Sequence, residues 1–263
     1  MRVAHEAPLC IFDAVQEQTD YDYALVHLFE ENVDYYNKFE EAIAKGRHVI
    51  LDNSVFELEE AFDSDRFLYW INKLQPTEFI IPDVLEDSYS TIQRLGEWLT
   101  LYQPQVTSGS KTIGVVQGND FDDLVWCYQN VAPFVDKVAI SFDYSFMCPE
   151  KNYTPATRCE VFMRSRQRLI KDLLKADVID TSKPHHLLGC FLPQEFMAYK
   201  EYDWIDTIDT SNPVVHGING IHYEGYGLKE KVKTKLIEYM NEQLTPDQVH
   251  AIMFNIAKFK EFV

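Results

Sequence analysis

Short runs of β-branched and apolar residues alternate with longer stretches of helical periodicity, and no other feature limits the available folds so strongly. Residues 24–29, 48–52, 78–83, 112–117, 137–142, 186–190 and 204–209 read as strands. Residues 35–45, 65–74, 88–101, 121–131, 156–174 and 194–200 read as the helices between them. Such repetition implies right-handed crossovers and a parallel sheet. The strand runs are nearly continuous in apolar residues, as in Val49-Ile50-Leu51 and Phe79-Ile80-Ile81, which suits a sheet covered on both faces. An eighth strand is expected at residues 9–13 or 221–226. Eight units in 263 residues point to an α/β fold, a (β/α)8 TIM-type barrel, with a doubly wound open sheet as the alternative. With no Gly/Ser linker in sight, residues 1–263 read as a single domain: a core over about 20–228 and a helical tail over 229–263, whose last helix opens at Pro246.

Polar residues close one strand after another. Asp52 ends His-Val-Ile-Leu-Asp, Asp83 ends Phe-Ile-Ile-Pro-Asp, and Gln117 ends Ile-Gly-Val-Val-Gln. Asp143 follows Ala-Ile-Ser-Phe, Gly189 follows His-Leu-Leu, and Asp206 and Asp209 lie in Trp-Ile-Asp-Thr-Ile-Asp. In a barrel of this class the C-terminal strand ends carry the active site. One such Asp could be a helix N-cap; five carboxylates and a Gln suggest proton handling and recognition of a polar heterocycle.

Other chemistries lack their signatures. The five cysteines are scattered, fit no zinc spacing and read as reduced thiols, and His185 and His186 are adjacent, so a strand points them to opposite faces. No metal site and no cofactor is expected; Gly-x-Gly-x-x-Gly and Walker-type motifs do not occur. What remains is carboxylate chemistry, one Asp as nucleophile and another as acid/base.

The ordered strand-end motifs resemble the tRNA-guanine transglycosylases and their phage DNA-modifying relatives, (β/α)8 enzymes that exchange guanine for a 7-deazaguanine. Ile50-Leu51-Asp52-Asn53-Ser54-Val55-Phe56 is similar to the family's strand ending in Asp-Ser-Gly-Gly-Phe, which makes Asp52 the acid/base. Pro82-Asp83 resembles the segment whose Asp binds the guanine edge. Gly114-Val115-Val116-Gln117-Gly118 resembles Gly-Ile-Val-Gln-Gly, whose Gln meets the base carbonyl. His186-Leu187-Leu188-Gly189 is similar to the run that offers backbone N–H to the base, and Ile208-Asp209-Thr210-Ser211-Asn212-Pro213 to the run carrying the nucleophile, here Asp209. Phe56, with Tyr144 and Phe146, is a candidate to stack on an extruded base, although core packing is the commoner role of such aromatics. Asp143, Asp206 and Gly118 complete the expected substrate-binding set.

Three departures qualify the resemblance. Ser54-Val55 replace the Gly-Gly of the first motif and narrow the floor of the base pocket. Val214-Val215 stand where the tRNA enzymes continue with Thr-Arg. No cysteine follows Cys190, so the family's zinc site is missing. The resemblance therefore implies a short, zinc-free enzyme of the phage DNA type, acting on DNA before tRNA with a free 7-deazaguanine base as the second substrate.

Charge bears on that partner. The formal net charge is −18. Residues 1–157 hold 27 acids and 10 bases, so a polyanion would be repelled by most of the surface. Residues 158–175 hold six bases and two acids, with Arg164, Arg168, Lys171 and Lys175 in one helical stripe and Arg166 in the apolar sector. Lys229, Lys231, Lys233 and Lys235 form a second cluster. The stripe is the expected nucleic-acid contact; a solvated face paired with neighbouring acids is the alternative. A nucleoside or nucleotide N-glycosidase and a non-catalytic barrel subunit are the rival functions. No membrane span or signal peptide is expected, which places the protein in the cytoplasm, the host's if phage-encoded, and leaves a homodimer open.

Overall fold

The computed structural model describes residues 1–142, 154 and 157–263. The chain runs β1 (Arg2–His5), α1 (Phe12–Gln16), β2 (Asp22–Leu25), α2 (Val26–Glu31), α3 (Val33–Ala44), β3 (Val49–Asp52), α4 (Val55–Leu58) and α5 (Ser64–Leu74). It continues with β4 (Glu78–Ile80), α6 (Ser88–Glu97), β5 (Lys111–Val116), α7 (Phe121–Val131), β6 (Lys137–Ile140) and α8 (Arg158–Lys175). The last elements are β7 (His185–Leu187), β8 (Ile205–Thr210), α9 (Asn212–Ile218) and α10 (Pro246–Phe259). The eight strands are parallel and form one sheet in the order β1-β8-β7-β6-β5-β4-β3-β2, the strand order of the (β/α)8 TIM-type class.

The eighth strand is β1, not either expected segment. Leu9–Ile11 is a 3-10 turn leading into α1, and around residues 221–226 there is an isolated bridge between Glu224 and Gly227. The core therefore begins before residue 20. The run at 24–29 also divides: β2 starts at Asp22 and ends at Leu25, and Val26 opens α2. Residues 193–199 are a 3-10 helix rather than an α-helix.

The chain forms two compact units. One comprises Met1–Asp20, Ser141–Asp172 and Leu187–Val263; the other comprises Tyr21–Ile140 and Leu173–His186. In the second unit α3, α5, α6 and α7 are each opened by an Asn or Asp side chain that accepts backbone N–H bonds of the first turn, as Asp120 does from Asp123 at 2.9 Å. The buried faces meet in an aromatic core in which Phe67, Phe79 and Trp98 pack with ring centroids 5.6–6.2 Å apart. In the first unit Thr245 and Gln248 form a capping box on α10, whose Phe259 is fully buried against Phe196 and His5. Among the described residues no helix is long and apolar enough to cross a membrane, and Cys10, Cys127, Cys159 and Cys190 are unpaired.

Candidate active site

Within the unit holding β2 to β6, the ends of three successive strands bring polar side chains together. Asp52 is the last residue of β3 and lies beside Leu25 of β2 in the strand register. Its carboxylate accepts from the Tyr23 hydroxyl on Oδ2 and from the Ser54 backbone N–H on Oδ1. Ser54 reaches that position with φ +61°, a left-handed turn that L residues seldom adopt, and its Oγ accepts from His27 N at 3.3 Å. The ring of Tyr23 stacks on His186, 5.7 Å between centroids and 15° from parallel. Asp52 is thus held by its own turn and by a phenol from the neighbouring strand.

Asp83 lies three residues beyond β4 and is 1% exposed. Asn53 Nδ2 donates to its Oδ1 at 2.8 Å, and Gln117 Nε2 donates to its Oδ2 at 2.7 Å. Burial pushes the Asp83 carboxyl above the ordinary Asp range, against the pull of those two amide donors. The Gln117 carbonyl accepts the Glu86 N–H at 3.1 Å, and Asn53 also donates to Ile81 O at 3.0 Å. The expected pair Asp83 and Gln117 is therefore in direct contact, with Asn53 as a third member. Gly118 follows directly: a Cβ there would lie 3.0 Å from the Leu124 amide nitrogen, so this glycine lets the strand end approach the first turn of α7. Phe56 on α4 is 59% exposed, which excludes the core role. Asp143, Tyr144 and Phe146 lie outside the described residues.

In the other unit, Asp209 is the fifth residue of β8, 6% exposed, in register with Ala4 of β1. The Gly189 N–H, expected to face the base, instead donates to its Oδ1 at 3.2 Å from a turn with φ +56°, so the carboxylate and not a ligand takes this donor. Beyond it, Thr210 Oγ1 accepts from Asn212 N at 3.0 Å, and Asn212, at the start of α9, accepts from Tyr223 and donates to Phe191 O at 3.0 Å. Cys190 touches Thr210 Oγ1 at 3.3 Å, and burial pushes its thiol up to about 12, away from the range of a reactive thiolate.

Asp206 does not lie with Asp209. It is the second residue of β8, at the opposite end of the strand, and binds Arg2 in a two-pronged ion pair at 2.8 and 3.2 Å. Arg166, ambiguous in the sequence, is fully buried and bound to Glu195. Of the stripe on α8, Arg164 pairs with Glu160 at 2.5 Å and Arg168 with Asp172 at 3.4 Å, both one helical turn away; all four stripe residues are exposed. Such exposed pairs are worth under about 1 kcal/mol each and do not exclude exchange for a phosphate.

Sequence reasoning missed Tyr23, Asn53, Tyr223 and Glu195. Asn53 follows Asp52 as a second polar residue after an apolar run, a signal the sequence does carry; Tyr23 has no such signal. Among the described residues, no group of three or more His, Cys, Asp or Glu side chains is arranged to hold a metal ion. No protein-family model and no curated protein matches the chain.

Proposed function

We propose that this protein is a base-exchange glycosyltransferase that replaces guanine in nucleic acid, DNA before tRNA, with a free 7-deazaguanine base. The observation that carries the reading is the buried Asp83 carboxyl flanked by the amides of Asn53 and Gln117. A carboxylate offers about four acceptor positions. The two amide donors leave capacity for the N1–H and N2–H of a guanine edge, and a carboxamide beside them can donate to O6.

The chemistry then runs in two displacements. An Asp209 oxygen attacks C1′ through an oxocarbenium-like transition state; the glycosidic bond breaks and the departing guanine takes a proton from Asp52. The incoming base gives its N9 proton to Asp52 as N9 attacks C1′. Asp209 leaves, and configuration is retained over the two steps. Tyr23 and Ser54 fix the oxygens of Asp52. Phe56 is exposed and suited to stack on a base drawn out of a duplex.

A second reading, N-glycosidase action on a nucleoside or nucleotide, draws support from the net charge of −18 and from the ion pairs that engage Arg164 and Arg168. Radiolabelled free guanine separates the two, because guanine exchanging for guanine needs no knowledge of the natural incoming base. Base exchange carries label into DNA, weakened by raised salt and by reversal of Arg164 and Lys171. The glycosidase frees guanine from nucleosides and leaves DNA unlabelled. Neither event would leave a non-catalytic barrel protein.

A further inference from the structure

Arg166 is 0% exposed in a protein with a large excess of acid, and one salt bridge does not account for its placement. Its Nε and Nη2 donate to the two carboxylate oxygens of Glu195 at 2.6 and 3.0 Å. Glu195 is itself held by the Tyr199 hydroxyl at 2.8 Å. The rest of the guanidinium fork faces the turn after β7: Nη1 donates to Leu188 O at 2.8 Å and Nη2 to Gly189 O at 2.9 Å. Buried ion pairs of this kind are often replaceable by apolar residues of similar volume without loss of stability, so stability alone is a poor reason to bury this one.

The peptide between Leu188 and Gly189 supplies a better reason. In a trans peptide the C=O and N–H point in opposite directions. Arg166 holds the Leu188 carbonyl on one side, and the Gly189 N–H of the same peptide is thereby aimed the other way, at Asp209 Oδ1 3.2 Å off. Rotating that peptide would set a carbonyl against the Asp209 carboxylate and an N–H against the guanidinium. Both contacts are repulsive.

We propose that Arg166, clamped by Glu195, is a positioning residue for Asp209: it fixes the Leu188–Gly189 peptide so that the Gly189 N–H holds the nucleophile and stabilises its negative charge as the sugar ester breaks. The inference rests on the reading of Asp209 as nucleophile. It assigns a reaction role to an ion pair that touches no substrate. The clamp acts on the chemical steps, so its loss lowers kcat and leaves KM for nucleic acid and for free base unchanged.

The test is guanine exchange in three variants. Arg166→Met/Glu195→Met removes the clamp with similar volume. We expect a folded protein with kcat reduced roughly ten- to hundredfold, the scale of one hydrogen bond to a charged group, and KM within about twofold. Arg166→Lys keeps the charge but cannot span both carbonyls and Glu195, so it recovers part of kcat. It is also the informative variant if the double substitution fails to fold. Asp209→Asn separates the two claims. If it abolishes exchange while the clamp variants keep the wild-type kcat per folded molecule, the positioning role is overturned and the nucleophile stands. If Asp209→Asn stays active, the nucleophile assignment falls and the positioning role with it.

Discussion

The backbone N–H of Gly189 lies 3.2 Å from Oδ1 of Asp209 and joins the turn after β7 to the penultimate residue of β8. That contact depends on a backbone that only glycine adopts easily, φ +56°, and on space: a Cβ at this position would sit 2.9 Å from Cδ1 of Phe142. Gly189→Ala is expected to cost about 1–2 kcal/mol from the left-handed conformation alone, with the clash added to it. Urea denaturation measures the sum. Adding Phe142→Leu should return the clash component and leave the conformational one; full recovery would mean that the turn is not strained.

Glu78, at the start of β4, is sandwiched between His48 at 2.9 Å and Lys137 at 2.6 Å, and both Glu78 and Lys137 are buried. Burial by itself would raise the Glu78 carboxyl, but the hydrogen bonds and charges of His48 and Lys137 outweigh it and hold the group below its ordinary value. The stability it contributes is complete above the unfolded Glu value and is lost as pH falls through the lower folded one. Glu78→Gln strands a buried ammonium and should cost about 3–5 kcal/mol at neutral pH. Lys137→Met in that background should restore much of the loss. A single Glu78→Gln as stable as wild type would show that the pair is not energetically coupled.

His5, at the end of β1, is buried edge-on against Phe259, rings 5.2 Å apart, and burial lowers its pKa to about 3. The unfolded chain takes up a proton near the ordinary His value, whereas the folded chain does not. Stability therefore falls as pH drops below about 6.5. His5→Phe should make the slope of unfolding free energy between pH 4 and 6 shallower by up to about 1.4 kcal/mol per pH unit, whatever its effect at pH 8. An unchanged slope would locate the acid sensitivity elsewhere, first at His185, whose pKa burial lowers to about 4.

What could be read from the chain follows from how strongly each segment is patterned. Runs such as Ile113-Gly114-Val115-Val116 end at the first polar residue, so the strand-end positions of Asp52 and Gln117 were legible. β1 was not: Arg2-Val3-Ala4-His5 holds two apolar residues between polar ends, and its pairing with β8 is a contact about two hundred residues away. In Trp-Ile-Asp-Thr-Ile-Asp the pattern could not separate the beginning of a strand from its end, which misplaced Asp206. β2 was displaced because it opens on a buried Asp22, bound to Arg47 Nε at 2.6 Å, where pattern reading expects a loop. Arg166 was visible as an anomaly in an apolar sector, yet Glu195 lies 29 residues on, in another element, and no spacing rule links them.

The covalent step is the central claim. Acid quenching of the protein during turnover with guanine-containing DNA, followed by proteolysis and mass spectrometry, should find a deoxyribosyl adduct on the peptide that carries Asp209. Asp209→Asn should remain folded, form no adduct and exchange no guanine. An adduct on another residue, or normal exchange by the Asp209→Asn protein, would contradict the account.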